Sequence, residues 1–172
     1  MEPELAADGR SLICRTPVSS PMAKVGPVHQ TYYLAATPPR VFAALTQPAE
    51  ITKWFAVKAT VQPRRGGTYR LSWGGGFSMR GRIDEIVPSK RLTVAWIDRL
   101  EGGKTFETRA RFVLTKKGKG TLLDVTHRGF KSGKKWVALF GAIESGWAYY
   151  LMNLKSVLDH ETDLRSDLDA LG

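Results

Sequence analysis

The chain has 172 residues, one cysteine and a formal charge of +10 at pH 7, a length at which one domain can bury its own core. Cys14 alone can form neither an intrachain disulfide nor a cysteine metal cluster. No apolar run reaches the roughly 18 residues of a membrane-spanning helix, so no membrane insertion is expected.

The N-terminal "LAADGRSLICRTPVSS" breaks each apolar stretch with charge or proline and does not read as a signal peptide. With the lone cysteine, this points to a reducing compartment, and the cytoplasm is the expected location. Residues 1–26 mix Pro, Gly, Ser, Ala and charge without a period and read as a disordered tail. A domain is expected over 27–163, with a C-terminal tail over 164–172.

Charge is unevenly placed. Between residues 28 and 158 there are 22 bases and 8 acids, whereas from Asp159 onward Asp159, Glu161, Asp163, Asp167 and Asp169 face only Arg165. Arg70, Arg80, Arg82, Arg109 and Arg111 alternate with apolar residues, as on a solvated sheet face. Such a surface suits an acidic protein partner. Nucleic acid is not expected as a partner, because no recognisable reading element accompanies the charge.

The first strand is predicted over 28–36, "VHQTYYLAA", from its β-branched and aromatic residues. In "TPPRVFAALTQPAEITKWFA", Thr37 is a candidate cap, Pro38 and Pro39 suit a first helical turn, and Val41, Phe42 and Leu45 share a face. Pro48 ends that helix and opens a second short one carrying Ile51, Trp54 and Phe55.

From Val57 to His127 the period is two. Tyr69, Leu71 and Trp73 share one face, as do Leu92, Val94 and Trp96, and Phe106, Thr108, Ala110, Phe112 and Leu114. Turn chemistry at "RRGG", "GGG", "PSKR", "EGGK" and "KKGKG" divides this stretch into the strands of an antiparallel meander.

The period then returns to 3.6. Trp136, Leu139, Phe140, Ile143, Trp147, Tyr150, Leu151, Leu154, Val157 and Leu158 form a broad apolar face from near Ser132 to near residue 163. A helix of about 30 residues is ~45 Å long, and only the sheet is large enough to cover it. The expected fold is therefore α+β: a curved antiparallel sheet of six to seven strands around a long C-terminal helix, with two short helices after the first strand.

A sheet that curls around one helix is expected to leave a hollow near the middle, with Gly74–Gly76 and Gly81 relieving its bends. The expected lining from the sheet is Tyr33, Trp73, Phe77, Trp96, Phe106, Phe112, Val125 and His127. From the helical segments it is Trp54, Trp147, Tyr150 and Leu151. Ligand pockets have this aromatic, sparsely polar character.

The residues carrying chemistry are few. His29, His127 and His160 show no metal-ligand spacing, and neither a cofactor nor a metal is called for. His127 alternates with Leu123 and Val125 onto the inner face, where its imidazole could orient a ligand, act as a base, or be bonded to a loop or water. Asp84 and Asp124 are expected to pair with Arg82, Arg109 or Arg111 on the outer face, with Glu85 and Glu107 open to either side. No catalytic residues can be assembled.

The order of elements resembles the helix-grip fold of the START-like (SRPBCC) superfamily. The segments "TPPRVFAALTQPAEITKWFA", "RRGGTYRL", "GRIDEIVPSKRLTVAW", "GTLLDVTHRGF" and "SGWAYYLMNLKSVLD" are similar to the family of the activator of the ninety-kilodalton heat-shock chaperone ATPase. That resemblance implies a stress-response setting. It also implies a hydrophobic small molecule bound between sheet and helix. The alternative is a protein-interaction module acting through the basic outer surface, and a third reading is a pocket enzyme of cyclase or hydrolase type.

Overall fold

The computed structural model describes residues 25–99 and 104–165. The predicted N-terminal tail as far as residue 24, the "EGG" of the predicted turn at 101–103 and residues 166–172 lie outside these. Strand β1 (Val28–Leu34) is followed by helices α1 (Pro38–Thr46) and α2 (Pro48–Ile51). Strands β2 (Lys58–Val61), β3 (Thr68–Gly74), β4 (Phe77–Val87), β5 (Arg91–Arg99), β6 (Thr105–Lys117) and β7 (Gly120–Arg128) come next, and helix α3 (Lys134–His160) closes the chain.

All seven strands form one antiparallel sheet in the order β1-β7-β6-β5-β4-β3-β2. The meander from β2 to β7 follows from the short turns, and β1 returns to pair with β7 in the register Val28↔His127 to Leu34↔Thr121. Helix α3 packs on the concave face against a core that includes Leu34, Leu92, Phe112, Leu123, Leu151 and Leu154. This is the helix-grip architecture.

Thr37 precedes α1 in an extended conformation but its side chain makes no capping bond. The start of α1 rests instead on two prolines already set for helical φ and on the Val41 N–H donating to the Thr37 carbonyl at 3.0 Å. The edge strand β1 is covered by α3. Gln30 donates to the Glu144 carbonyl at 3.1 Å, Lys155 to the Tyr33 carbonyl at 2.9 Å, and the Ala35 N–H to Asp159 at 2.8 Å. Of these, the Lys155 bond occupies a backbone carbonyl of β1 that would otherwise invite strand addition.

Register shifts occur in β3 between Ser72 and Gly74 and in β4 between Ile83 and Glu85. Asp84 is the extra residue of a β-bulge, so Ile83 and Ile86, three apart, both join the core while Asp84 and Glu85 share the outer face. Asp84 there binds Arg82 and Arg109, Glu107 binds Arg109, and Glu85 binds Arg91. Asp124 departs from expectation: its bonds go to His29 and Thr31 on β1, not to an arginine.

Gly81 sits where β4 passes closest to its neighbours. A Cβ there would lie 2.8 Å from the Ala95 carbonyl oxygen and 2.9 Å from that of Tyr69, so this crossing of the curved sheet requires glycine.

Helix α3 ends at Glu161, which adopts a left-handed conformation with φ 56°. The chain then doubles back. Buried Asn153 donates to the Trp54 carbonyl at 2.8 Å and to Asp163 at 2.9 Å, and accepts from the Leu164 N–H at 2.7 Å. Arg165 donates to Asp163 and to the Thr52 and Ala56 carbonyls. Leu164 and Arg165, expected in the tail, are thereby tied to the domain.

Candidate functional site: an aromatic cluster under helix α3

The short α2 and the turn after it place Trp54 and Phe55 side by side, stacked at 4.6 Å with planes 10° apart. Trp54 is fixed by its indole N–H donating to the Ala44 carbonyl at 2.9 Å. Phe55 projects into the centre of the grip. Its ring lies 5.3 Å from Trp73, 5.0 Å from Tyr150, 5.4 Å from Trp147 and 6.1 Å from Trp96. The central hollow expected from the sheet's curl is therefore occupied by Phe55. Its place in sequence, between a buried Trp and the small Ala56, gave no sign that it would reach so far.

Below this plug lies a polar relay. The Trp147 indole N–H donates to Nδ1 of His127 at 2.9 Å, and His127 Nε2 lies 2.7 Å from Thr108 Oγ1. Since Nδ1 accepts, the proton resides on Nε2 and is donated to the threonine. Burial pushes the imidazole down to about 4. His127 faces inward as its alternation with Leu123 and Val125 requires, but both nitrogens are engaged by protein. Of the roles open to it from sequence, the one seen is a hydrogen-bonded histidine, its partners a tryptophan from the helix and a buried threonine in place of a loop or water.

The grip is tight at one end of α3 and open at the other. Trp147, Leu151, Asn153 and Leu154 are its buried residues, and none precedes Trp147. Trp136, Leu139, Phe140 and Ile143 on the first half are only partly covered. Phe140 meets Phe130 edge-on at 5.4 Å and Trp136 meets Phe106 at 5.2 Å. On the sheet, Trp73 and Trp96 are also partly exposed and 6.4 Å apart. Helix and sheet thus each keep partly exposed aromatic surface.

The Trp73 indole nitrogen is shielded from solvent and has no hydrogen-bond partner among the described residues. Two further hollows lie at the periphery. One of about 380 Å³ is bounded by Val25–Pro27 and Arg128–Phe130, and one of about 340 Å³ by Arg40, Lys53, Val157, Glu161 and Asp163. Among the described residues no three His, Cys, Asp or Glu side chains gather as a metal site would require, and no helix is long and apolar enough to cross a membrane.

A sequence profile of the family described as activator of Hsp90 ATPase homolog 1-like protein matches residues 35–159. The chain belongs to this family. A protein of Mesorhizobium loti is 25% identical with a TM-score of 0.70, over 81% of this chain and 100% of its own. An AHSA1-like protein of Rhizobium etli is 33% identical with a TM-score of 0.59, over 78% of this chain and 82% of its own. CalU16 of Micromonospora echinospora is 27% identical with a TM-score of 0.58, over 78% and 76%. No curated protein matches the chain.

In this AHSA1-like domain the expected lining residues divide into three groups. Trp73, Trp96, Tyr150 and Trp147 come together around Phe55, with His127 close by, whereas Phe106 meets Trp136 near the start of α3. Trp54, Phe112, Val125 and Leu151 are core residues with their surfaces already filled. Tyr33 and Phe77 are the two exposed ones. Tyr33 is 45% exposed because Val28 and Leu34 fix the inward parity of β1, which brings Tyr32 toward the core and turns Tyr33 out. Phe77 is 61% exposed at the hairpin tip, touching only the outer side of the cluster through Trp73 at 5.5 Å. Sequence reasoning missed Phe55 as the centre of the aromatic cluster and Phe130 beside His127; the helical period had marked Phe140 and Ile143 as apolar but not as partly uncovered.

Proposed function

We propose that this AHSA1-like domain binds a hydrophobic or aromatic small molecule between the sheet and the first half of α3. The observation that supports this is the half-covered state of both elements: Trp136, Phe140 and Ile143 on the helix and Trp73 and Trp96 on the sheet keep accessible aromatic and aliphatic surface. Apolar surface left in water loses about 25 cal/mol per Å² relative to burial, and a guest would recover it. With His127 engaged on both sides, the cleft offers no free base, and binding rather than turnover is the reading.

The test is titration of the full chain with naphthalene, followed by tryptophan fluorescence. Saturable change is expected for the native chain and its loss in Ile143→Trp, which fills the cleft, with the thermal unfolding of both recorded. A native chain with no saturable response would overturn the proposal.

A second reading draws on the outer face. Arg70 and Arg80 stand directly opposite each other on β3 and β4, both exposed, with no acidic partner among the described residues. An acidic protein partner would relieve that repulsion. Binding through this face should weaken steeply with salt and with reversal of either charge, whereas binding in the cleft should not.

A further inference from the structure

We infer that the free edge of β2 takes up an extended segment of a partner protein as a further strand, and that this segment alternates acidic with small apolar side chains. The inference rests on the reading of the outer face as a surface for an acidic protein partner, and it adds the form and the pattern of that partner.

The sheet ends in β1 on one side and in β2 on the other. At β1 the Lys155 ammonium already occupies the Tyr33 carbonyl. The edge of β2 has no such cover. The Gln62 N–H donates to the Thr68 carbonyl at 2.9 Å, and in the register Lys58↔Ser72 to Val61↔Tyr69 this bond fixes which residues face β3. An antiparallel ladder alternates, so Lys58 and Thr60 bond β3, whereas the N–H and C=O groups of Ala59 and Val61 point away from it. Among the described residues no other element bonds these groups. They are placed to receive another strand.

The side chains of β2 define what that strand carries. Lys58 and Thr60 are exposed, whereas Ala59 and Val61 are half-buried and pack against the core. Arg70 stands opposite Thr60 and Arg80 opposite Arg70, both exposed, so the cations continue inward from the edge. None of Lys58, Arg70 and Arg80 has an acidic partner among the described residues. The acids of neighbouring elements are engaged elsewhere: Glu50 by Arg40 and Lys53, Asp84 by Arg82 and Arg109, and Asp163 by Arg165.

An added strand sends successive side chains to opposite faces. Those on the outer face lie beside Lys58 and Thr60, where a carboxylate is attracted across the strands. Those on the inner face meet Ala59 and Val61, where a small apolar group continues the packing. The same cations disfavour a second copy of this edge, because pairing β2 with β2 sets like charges against one another.

The probe is an end-blocked hexapeptide of alternating aspartate and valine. It is compared with the same peptide N-methylated at every residue, and with one carrying lysine in place of aspartate. The ¹⁵N-labelled full chain would be titrated with each at low salt. The acidic peptide is expected to bind saturably, to move the Ala59 and Val61 amide resonances downfield and to slow their hydrogen exchange. The other two should bind on the order of tenfold more weakly or less. Lys58→Glu should reduce affinity for the acidic peptide on the order of fivefold. Ala59→Pro removes an edge donor while sparing the bonds to β3, and should weaken binding as well.

Equal binding of the N-methylated and unmethylated acidic peptides, or binding that leaves the Ala59 and Val61 amides unchanged, would overturn strand addition while leaving the acidic-partner reading intact. Failure of both acidic peptides to bind, or binding of the lysine peptide as tight as theirs, would overturn both. Should Ala59→Pro not fold, the N-methylated peptide makes the same comparison on the native chain.

Discussion

The indole of Trp147 and the imidazole of His127 are joined by a bond of 2.9 Å in which the tryptophan donates to Nδ1. The middle of α3 is thus fastened to β7 by an interaction that exists only while the imidazole is neutral. Protonation would set an N–H against an N–H, in a place where burial already disfavours charge.

Stability should therefore depend on pH through this group. The unfolded chain takes up a proton near the ordinary 6.5, whereas native His127 resists until about 4. The unfolded state binds the extra proton between those values, so the contribution to stability falls as pH falls through the window, by about 3 kcal/mol in all, and is flat above it. Urea unfolding of the native chain and of His127→Gln across this range should give a steep and a flattened dependence, respectively. Parallel curves would show that another group governs the acid limb.

Phe55 fills the hollow that the curled sheet leaves beneath α3, and five aromatic rings lie around it. Phe55→Ala should cost about 3–5 kcal/mol, the lost transfer energy plus the cavity left behind. The variant should also admit a larger guest than the native chain. Chemical denaturation measures the first effect and naphthalene titration the second.

Asn153 holds three groups at once: the Trp54 carbonyl, the Asp163 carboxylate and the Leu164 N–H. Asn153→Ala leaves a buried carbonyl and amide without partners, a loss of about 2–4 kcal/mol. Arg165→Ala removes the outer half of the same latch, where the guanidinium beside Asp163 holds its carboxyl down to about 2. That site is partly open to solvent, so the loss should be smaller, about 1 kcal/mol. The ranking of the two variants by thermal melting checks the assignment of the latch to its buried member.

Arg70 and Arg80 are direct cross-strand neighbours carrying the same charge. Arg70→Glu should stabilise the domain by about 0.5 kcal/mol, by turning a repulsion into an attraction. The gain should shrink in high salt.

The helix that fills the grip was legible because ten apolar residues keep a 3.6 period over its length, a pattern that no other element here can absorb. The inner faces of β3, β5 and β6 were equally plain, because alternation leaves each residue one choice of side. Legibility failed where parity was broken or set at a distance. The bulge at Asp84 reverses the alternation of β4 in mid-strand, and a lone strand such as β1 does not reveal whether Tyr32 or Tyr33 faces inward.

Period and turn chemistry are local quantities, so the amino-acid order by itself determined the element sequence, the antiparallel meander, the two-sided character of the strands and the family resemblance. What sits inside the grip depended on contacts between residues far apart in the chain. Phe55 reaches Trp147 and Tyr150, Trp147 meets His127, and Trp73 is left with an unpaired N–H. Side-chain reach and hydrogen-bond partnership are set by the angle at which helix and sheet meet, and only the assembled tertiary structure fixes that angle.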